Sequence, residues 1–165
     1  MLAIVHYYCH SCRFEKLPSI YNELWTRGNV TVDYVSGGVM YGIIDNNKMG
    51  PTVVSFCNKR ATRLFSNFQS SPSYETFINS IYQGNMPIFC GGIISAQNGK
   101  RSGHAMAVEG HCLIREKSSG KVLRTLLVYD GWNSGAAFVN FDFTKFTDTH
   151  GIFFGSSGFL VGSTG

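Results

Sequence analysis

Two apolar runs, HAMAVEGHCLI (104–114) and VLRTLLVYDGW (122–132), flank a polar stretch, REKSSGK, whose Ser and Gly residues suit a tight reversal. Apolar and β-branched residues on both sides of one turn make the pattern of an antiparallel hairpin. A hairpin dictates which residues face one another. With the turn centred on Lys117–Ser119, the residue opposite His104 falls within 130–134. An imidazole at the start of one strand then stands beside the carboxylate of Asp130 at the end of the next, a pairing suited to a general base and its orienting group. A slip of the turn by one or two residues moves the register equally. The spacing therefore argues for proximity and not for a fixed pair.

Similar runs bound by Gly, Asn and Ser occupy most of the chain after residue 86: MPIFCGGII, AAFVNFDF and the shorter GIFFG and GFLVG. The first half reads differently. MLAIVHYYCHSC is apolar and helical but opens with neither a cap nor a polar lead-in. In LPSIYNELW, Pro18 and Ser19 open a second helix carrying Ile20, Leu24 and Trp25. A Gly-rich connection with strand character around Val30–Val35 follows. GPTVVSFCNKRATRLFSNF then places Pro51 near a helix start, with Val53, Val54, Cys57, Ala61, Leu64 and Phe65 at helical spacing. The clearest helix is SPSYETFINSIYQG, with Ser71 as cap, Pro72 in first position, one face of Tyr74, Phe77, Ile78, Ile81 and Tyr82, and Gly84 as the stop. Helices first and antiparallel strands second predict an α+β fold in a single domain over 1–165.

Composition excludes several classes. At 165 residues, with 44% hydrophobic and 15% charged residues, the chain is long and apolar enough to bury a core. Its net charge of +4 is scattered over cations such as Arg60, Arg63, Lys100, Arg101, Arg115 and Lys117, without the basic stripe of a nucleic-acid binder. No run approaches the ~18 apolar residues of a membrane span. The N-terminal stretch lacks the basic leader and the cleavage site of a signal peptide. Five cysteines cannot all pair with one another, so reduced thiols are expected.

Each residue of the His104–Asp130 pair has a purely structural alternative: a satisfied histidine at a strand end, and a turn aspartate in an Asp-Gly pair. Convergence of the two on one place weakens both alternatives. His111 falls near the loop end of the hairpin, and His150, beside Gly151, is expected in a loop without a partner.

SGHAMAVEGH followed by LLVYDGWN resembles the second half of papain-fold cysteine peptidases, in particular the bacterial group similar to bacteriocin-leader-processing peptidases. In that family a His opens a central strand within a Gly-His-Ala motif, matched by Gly103, His104 and Ala105. An Asn or Asp ends the next strand before a small residue and Trp, matched by Asp130, Gly131 and Trp132. FINSIYQGNMPIF is similar to the helix, Gly turn and Pro-led strand that precede the His strand there. The likeness covers roughly residues 50–145, and MLAIVHYY further resembles the body of the family's nucleophile-bearing helix.

The resemblance implies a papain-like fold, N-terminal helices on a C-terminal antiparallel sheet, and thiol-dependent peptide hydrolysis through an acyl-enzyme. His104 would be base and then acid, Asp130 the orienter, Trp132 a shield over the pair and Gly103 a supporting residue. It implies a peptide or protein substrate and no cofactor, metal, nucleic acid or membrane span, and it points to secretion or the cell envelope. The nucleophilic Cys belongs at the N-terminus of the first helix, where a helix dipole and an imidazolium favour thiolate. If MLAIVHYY is that helix, the Cys precedes Met1, so a truncated chain or a start codon assigned too late is expected, and the chain as it stands would be inactive. Within the chain, Cys12 is the candidate nucleophile, because a new helix can begin near it. Cys9 falls late in the first helix, and Cys57, Cys90 and Cys112 read as core. Met49 in MGPTVVSF is a further option, as a substituted nucleophile position. Two other readings stay open: a non-catalytic papain-like peptide-binding module, and a zinc site at His6, Cys9, His10 and Cys12.

Overall fold

The structure, a computed structural model, describes residues 1–60, 62–94, 101–131, 135–143 and 146–156. The chain is α+β and divides into two compact units, one of Met1–Asn67 together with the chain from Phe154 onward, the other Phe68–Phe153. No helix among the described residues is long and apolar enough to cross a membrane.

The first unit opens with α1 (Leu2–Tyr8), followed by a 3-10 turn (His10–Phe14) and α2 (Leu17–Arg27). Cys9 and Cys12 therefore lie at the end of α1 and in the 3-10 turn, not within one continuous helix. The connection read as strand-like is a hairpin of β1 (Thr31–Ser36) and β2 (Val39–Ile43) turning at Gly37–Gly38. Every residue of β1 is exposed, and Tyr34 stacks on Tyr41 with ring centroids 4.4 Å apart.

Helix α3 (Asn46–Asn58) begins one turn earlier than Pro51 suggests and places that proline inside it, with Met49, Val53, Phe56 and Cys57 buried. It also ends earlier than the spacing of Ala61, Leu64 and Phe65 predicts. The Asn58 side chain caps the reversal: its Nδ2 donates to the Leu64 carbonyl at 3.0 Å, and its Oδ1 accepts from the Leu64 N–H at 2.7 Å. Leu64 and Phe65 thereby start β3 (Leu64–Ser70) instead of continuing the helix.

Arg60 joins three segments of this unit. Its guanidinium donates to Glu15 at 2.6 and 2.9 Å and to Glu23 of α2 at 2.7 Å, bonds the Phe56 carbonyl, and lies 3.7 Å over the Phe56 ring. The hydrogen bond from Arg60 outweighs burial and holds the Glu23 carboxyl down at about 2.

The second unit contains α4 (Tyr74–Tyr82), β4 (Ile88–Ile94), β5 (Arg101–Arg115), β6 (Val122–Tyr129), β7 (Ala137–Asn140) and most of β8 (Phe146–Ser156). The six-stranded antiparallel sheet runs β3-β8-β4-β5-β6-β7. Ser73, not Ser71, caps α4 by accepting from the Thr76 N–H at 3.2 Å. One helix face and one sheet face form the core: Tyr74 and Phe77 against Phe89, Met106, Val108, Leu126 and Val128. Each large side chain buried there contributes roughly 1.5–3 kcal/mol. Tyr82, expected on the apolar face, is exposed. The Tyr74 hydroxyl reaches two neighbouring strands at once, 3.2 Å from the Cys112 carbonyl and 3.0 Å from that of Thr125.

Candidate functional site

The β5–β6 hairpin turns where its polar stretch predicts, with Arg115 opposite Val122. A bulge between Val108 and Gly110 shifts the pairing once, so Ala107 faces Tyr129, the last residue of β6. His104 lies three residues before Ala107 and Asp130 one after Tyr129, so the bulge and the end of β6 together set how the two approach.

They do meet. The His104 Nε2 lies 2.5 Å from the main-chain carbonyl oxygen of Asp130, and both side chains are half-buried. A carbonyl only accepts, so Nε2 carries the hydrogen and donates it. In the neutral ring the lone pair is then on Nδ1, which makes Nδ1 the basic atom. Sequence spacing brought these residues together through the Asp130 carboxylate; the atom that this hydrogen bond uses is in the backbone. Gly131, at φ 77°, turns the chain directly after it.

On the other side of β5, His104 pairs with Gly91 and Gly103 with Gly92 of β4. These glycines make room for large neighbours. A Cβ on Gly91 would come within 2.8 Å of the Phe146 ring, and one on Gly92 within 2.1 Å of an Asp148 carboxylate oxygen. Gly103 itself is different: a Cβ there meets only the Gly91 carbonyl, at 3.9 Å. Its place in the Gly-His-Ala motif is not forced by space. Trp132 lies outside the described residues.

A second imidazole–carboxylate pair escaped the sequence reading. His150 lies in β8, not in a loop, opposite Cys90. Its Nε2 is 3.0 Å from the Asp148 Oδ2, its ring is 5.1 Å from that of Phe68, and its Nδ1 is buried without a hydrogen-bond partner. The signal was available as Asp-x-His in one strand, where alternate residues share a face. His111 pairs with Leu126 in the middle of the hairpin and sits edge-on to Tyr74 and Tyr82.

The thiols divide by environment. Cys12 is wholly buried, and burial together with the neighbouring Cys9 pushes its thiol up to about 12. A sulfur held protonated at neutral pH is the opposite of an activated nucleophile. Burial likewise pushes Cys57 and Cys90 up to about 12. Cys9 goes the other way. Against burial, hydrogen bonds from Cys12, Ser11 and Thr62 bring its thiol below the ordinary value. Met49 is buried within α3, away from its first residue. The N-terminal His and Cys residues do not assemble as a zinc site: His10 is exposed, and among the described residues no three His, Cys, Asp or Glu side chains are arranged to hold a metal ion. Compared with known proteins, the chain matches no family model, and no curated protein matches it.

Proposed function

We propose that this chain is the papain-like part of a cysteine peptidase, with His104 as the general base and acid and Asp130 as the residue that holds its ring. The contact from Nε2–H to the Asp130 carbonyl supports this reading most directly, because it fixes one tautomer and one ring orientation. The Nδ1 lone pair is then the atom that takes the thiol proton during attack on a peptide carbonyl. Nδ1–H returns that proton to the leaving amine as the acyl-enzyme forms, and the same atom activates the water that hydrolyses it. The α+β order and the Gly91–Gly92 pair beside the His strand are compatible with such a site.

In this reading the attacking sulfur belongs at the start of the helix whose body is Leu2–Tyr8, and Cys12, held protonated, does not supply it. The test is peptide hydrolysis by the natural gene product, including whatever its gene encodes before Met1. Thiol alkylation and His104→Ala are each expected to abolish turnover. Full activity in His104→Ala overturns the reading, and a substituted residue at the upstream Cys position favours a peptide-binding module without catalysis.

A further inference from the structure

We propose that the chain forms a weak homodimer, in which the free edge of β2 pairs antiparallel with β2 of a second copy about a two-fold axis at Tyr41. Among the described residues β2 pairs with β1 alone, so its other edge is open. Edges that must stay single are guarded by a charge, a proline or a bulge. β1 has two of these guards, Asp33 and the shift of register between Val32 and Tyr34. β2, with the sequence VMYGI, has none. Residues 34–44 carry no charge, so two copies of a chain of net charge +4 meet there without repulsion. A sheet of two strands is marginal by itself, and a further strand on its open edge strengthens it.

The hairpin itself sets the register. Its turn consists of Gly37 and Gly38, both at positive φ, so Ser36 and Val39 close it as a hydrogen-bonded pair. Bonded and unbonded pairs alternate from there, which directs the N–H and C=O of Met40 and Gly42 away from β1. Tyr41 opposite Tyr41 sets Met40 against Gly42 of the second copy, and the two exchange both main-chain hydrogen bonds. An axis at Met40 or at Gly42 would leave the other of these residues without a partner in β2. The side chains agree with this choice. Met40 is 57% exposed and shares a face with Gly42. On that face the Trp25 ring comes within 2.4 Å of where a Gly42 Cβ would stand. Met40 of one copy therefore crosses the bare Cα of Gly42 in the other and reaches the edge of its Trp25. On the opposite face the stacked Tyr34 and Tyr41 continue as one row of rings across the axis. An edge of five residues buries little, below about 1,200 Å² in total, so the dimer depends on concentration.

The experiment is sedimentation velocity of the full chain from about 5 to about 500 µM, with amide exchange followed by NMR at both ends of that range. The apparent mass should rise toward that of a dimer. Exchange at Met40 and Gly42 should slow by at least about threefold with concentration, while Val35, which faces outward on β1, stays unchanged. Met40→Glu should keep the chain monomeric, because it sets a carboxylate against Trp25 of the second copy. Val35→Glu is the control: Val35 lies opposite Met40 and is 61% exposed, but on the far strand, and this variant should change the association constant by less than about threefold. Should Met40→Glu fail to fold, amide exchange in the unsubstituted protein decides alone. A monomer at about 500 µM overturns the proposal, as does a dimer that Val35→Glu dissociates as readily as Met40→Glu. So does a monomer that sediments with phosphatidylcholine–phosphatidylglycerol vesicles, which would assign the exposed hairpin to a membrane surface.

Discussion

The imidazole of His104 is anchored by the main-chain oxygen of Asp130, 2.5 Å from its Nε2. A backbone acceptor survives every substitution at position 130. On the proposed peptidase reading, Asp130→Asn should therefore lower kcat by only about tenfold, whereas His104→Ala, which on that reading removes the base, should lower it by about a thousandfold. Steady-state peptide hydrolysis by the two variants checks the order. Equal losses would assign the anchoring to the carboxylate.

Acid should weaken the Arg60 clamp in a defined direction. The Glu23 carboxyl titrates at about 2 when folded and at about 4.3 in an unfolded chain. A carboxyl depressed by folding stabilises the native state fully above its unfolded value, and that contribution is lost as pH falls through the folded one. The urea midpoint followed by circular dichroism should fall between about pH 4.5 and pH 2. Glu23→Gln should be less stable at neutral pH, with the gap to the unsubstituted protein closing below about pH 2. A gap that stays constant with pH would contradict the clamp.

The Tyr74 hydroxyl serves two main-chain carbonyls from within the core. Tyr74→Phe should cost about 1–2 kcal/mol, because the buried Thr125 carbonyl loses this donor, while the Cys112 carbonyl keeps the Thr125 hydroxyl at 2.8 Å. Phe77→Ala, which empties the centre of the same cluster, should cost about 3–5 kcal/mol. Chemical denaturation of the two variants measures both.

The glycines beside His104 should differ sharply in tolerance. Gly91→Ala drives a Cβ to within 2.8 Å of the Phe146 ring and 3.1 Å of the Phe89 ring, at a cost of about 1–3 kcal/mol. Gly103→Ala meets only the Gly91 carbonyl at 3.9 Å and should change stability by less than about 0.5 kcal/mol. Thermal unfolding of the pair of variants reads the contrast directly.

What the sequence makes legible here is local and periodic. The β5–β6 hairpin is readable because its strands flank one polar turn, and α4 because its apolar positions recur at helical spacing. Of hairpin β1–β2 only strand character around Val30–Val35 is readable, since both faces of β1 are exposed and no buried stripe imposes a period of two. The end of α3 is hidden because Leu64 and Phe65 fit the helical spacing, while one Asn58 side chain bonds both main-chain groups of Leu64 and stops the helix. At the candidate site, spacing locates the meeting of His104 and Asp130 but is blind to which atom of Asp130 is met, a matter of how the backbone turns at Gly131. His150 was misplaced because the glycine after it reads as a loop. Gly151 sits inside β8, where a Cβ would strike the Phe153 ring at 2.5 Å.

The last strand of the described residues lies inside the sheet, between β3 and β4. During synthesis β4 can pair with β5 on one side, but its other edge and the edge of β3 that β8 covers stay bare until β8 is made. Closure of this sheet therefore waits for β8, and a nascent chain arrested before Phe146 offers two open edges to any other extended peptide nearby.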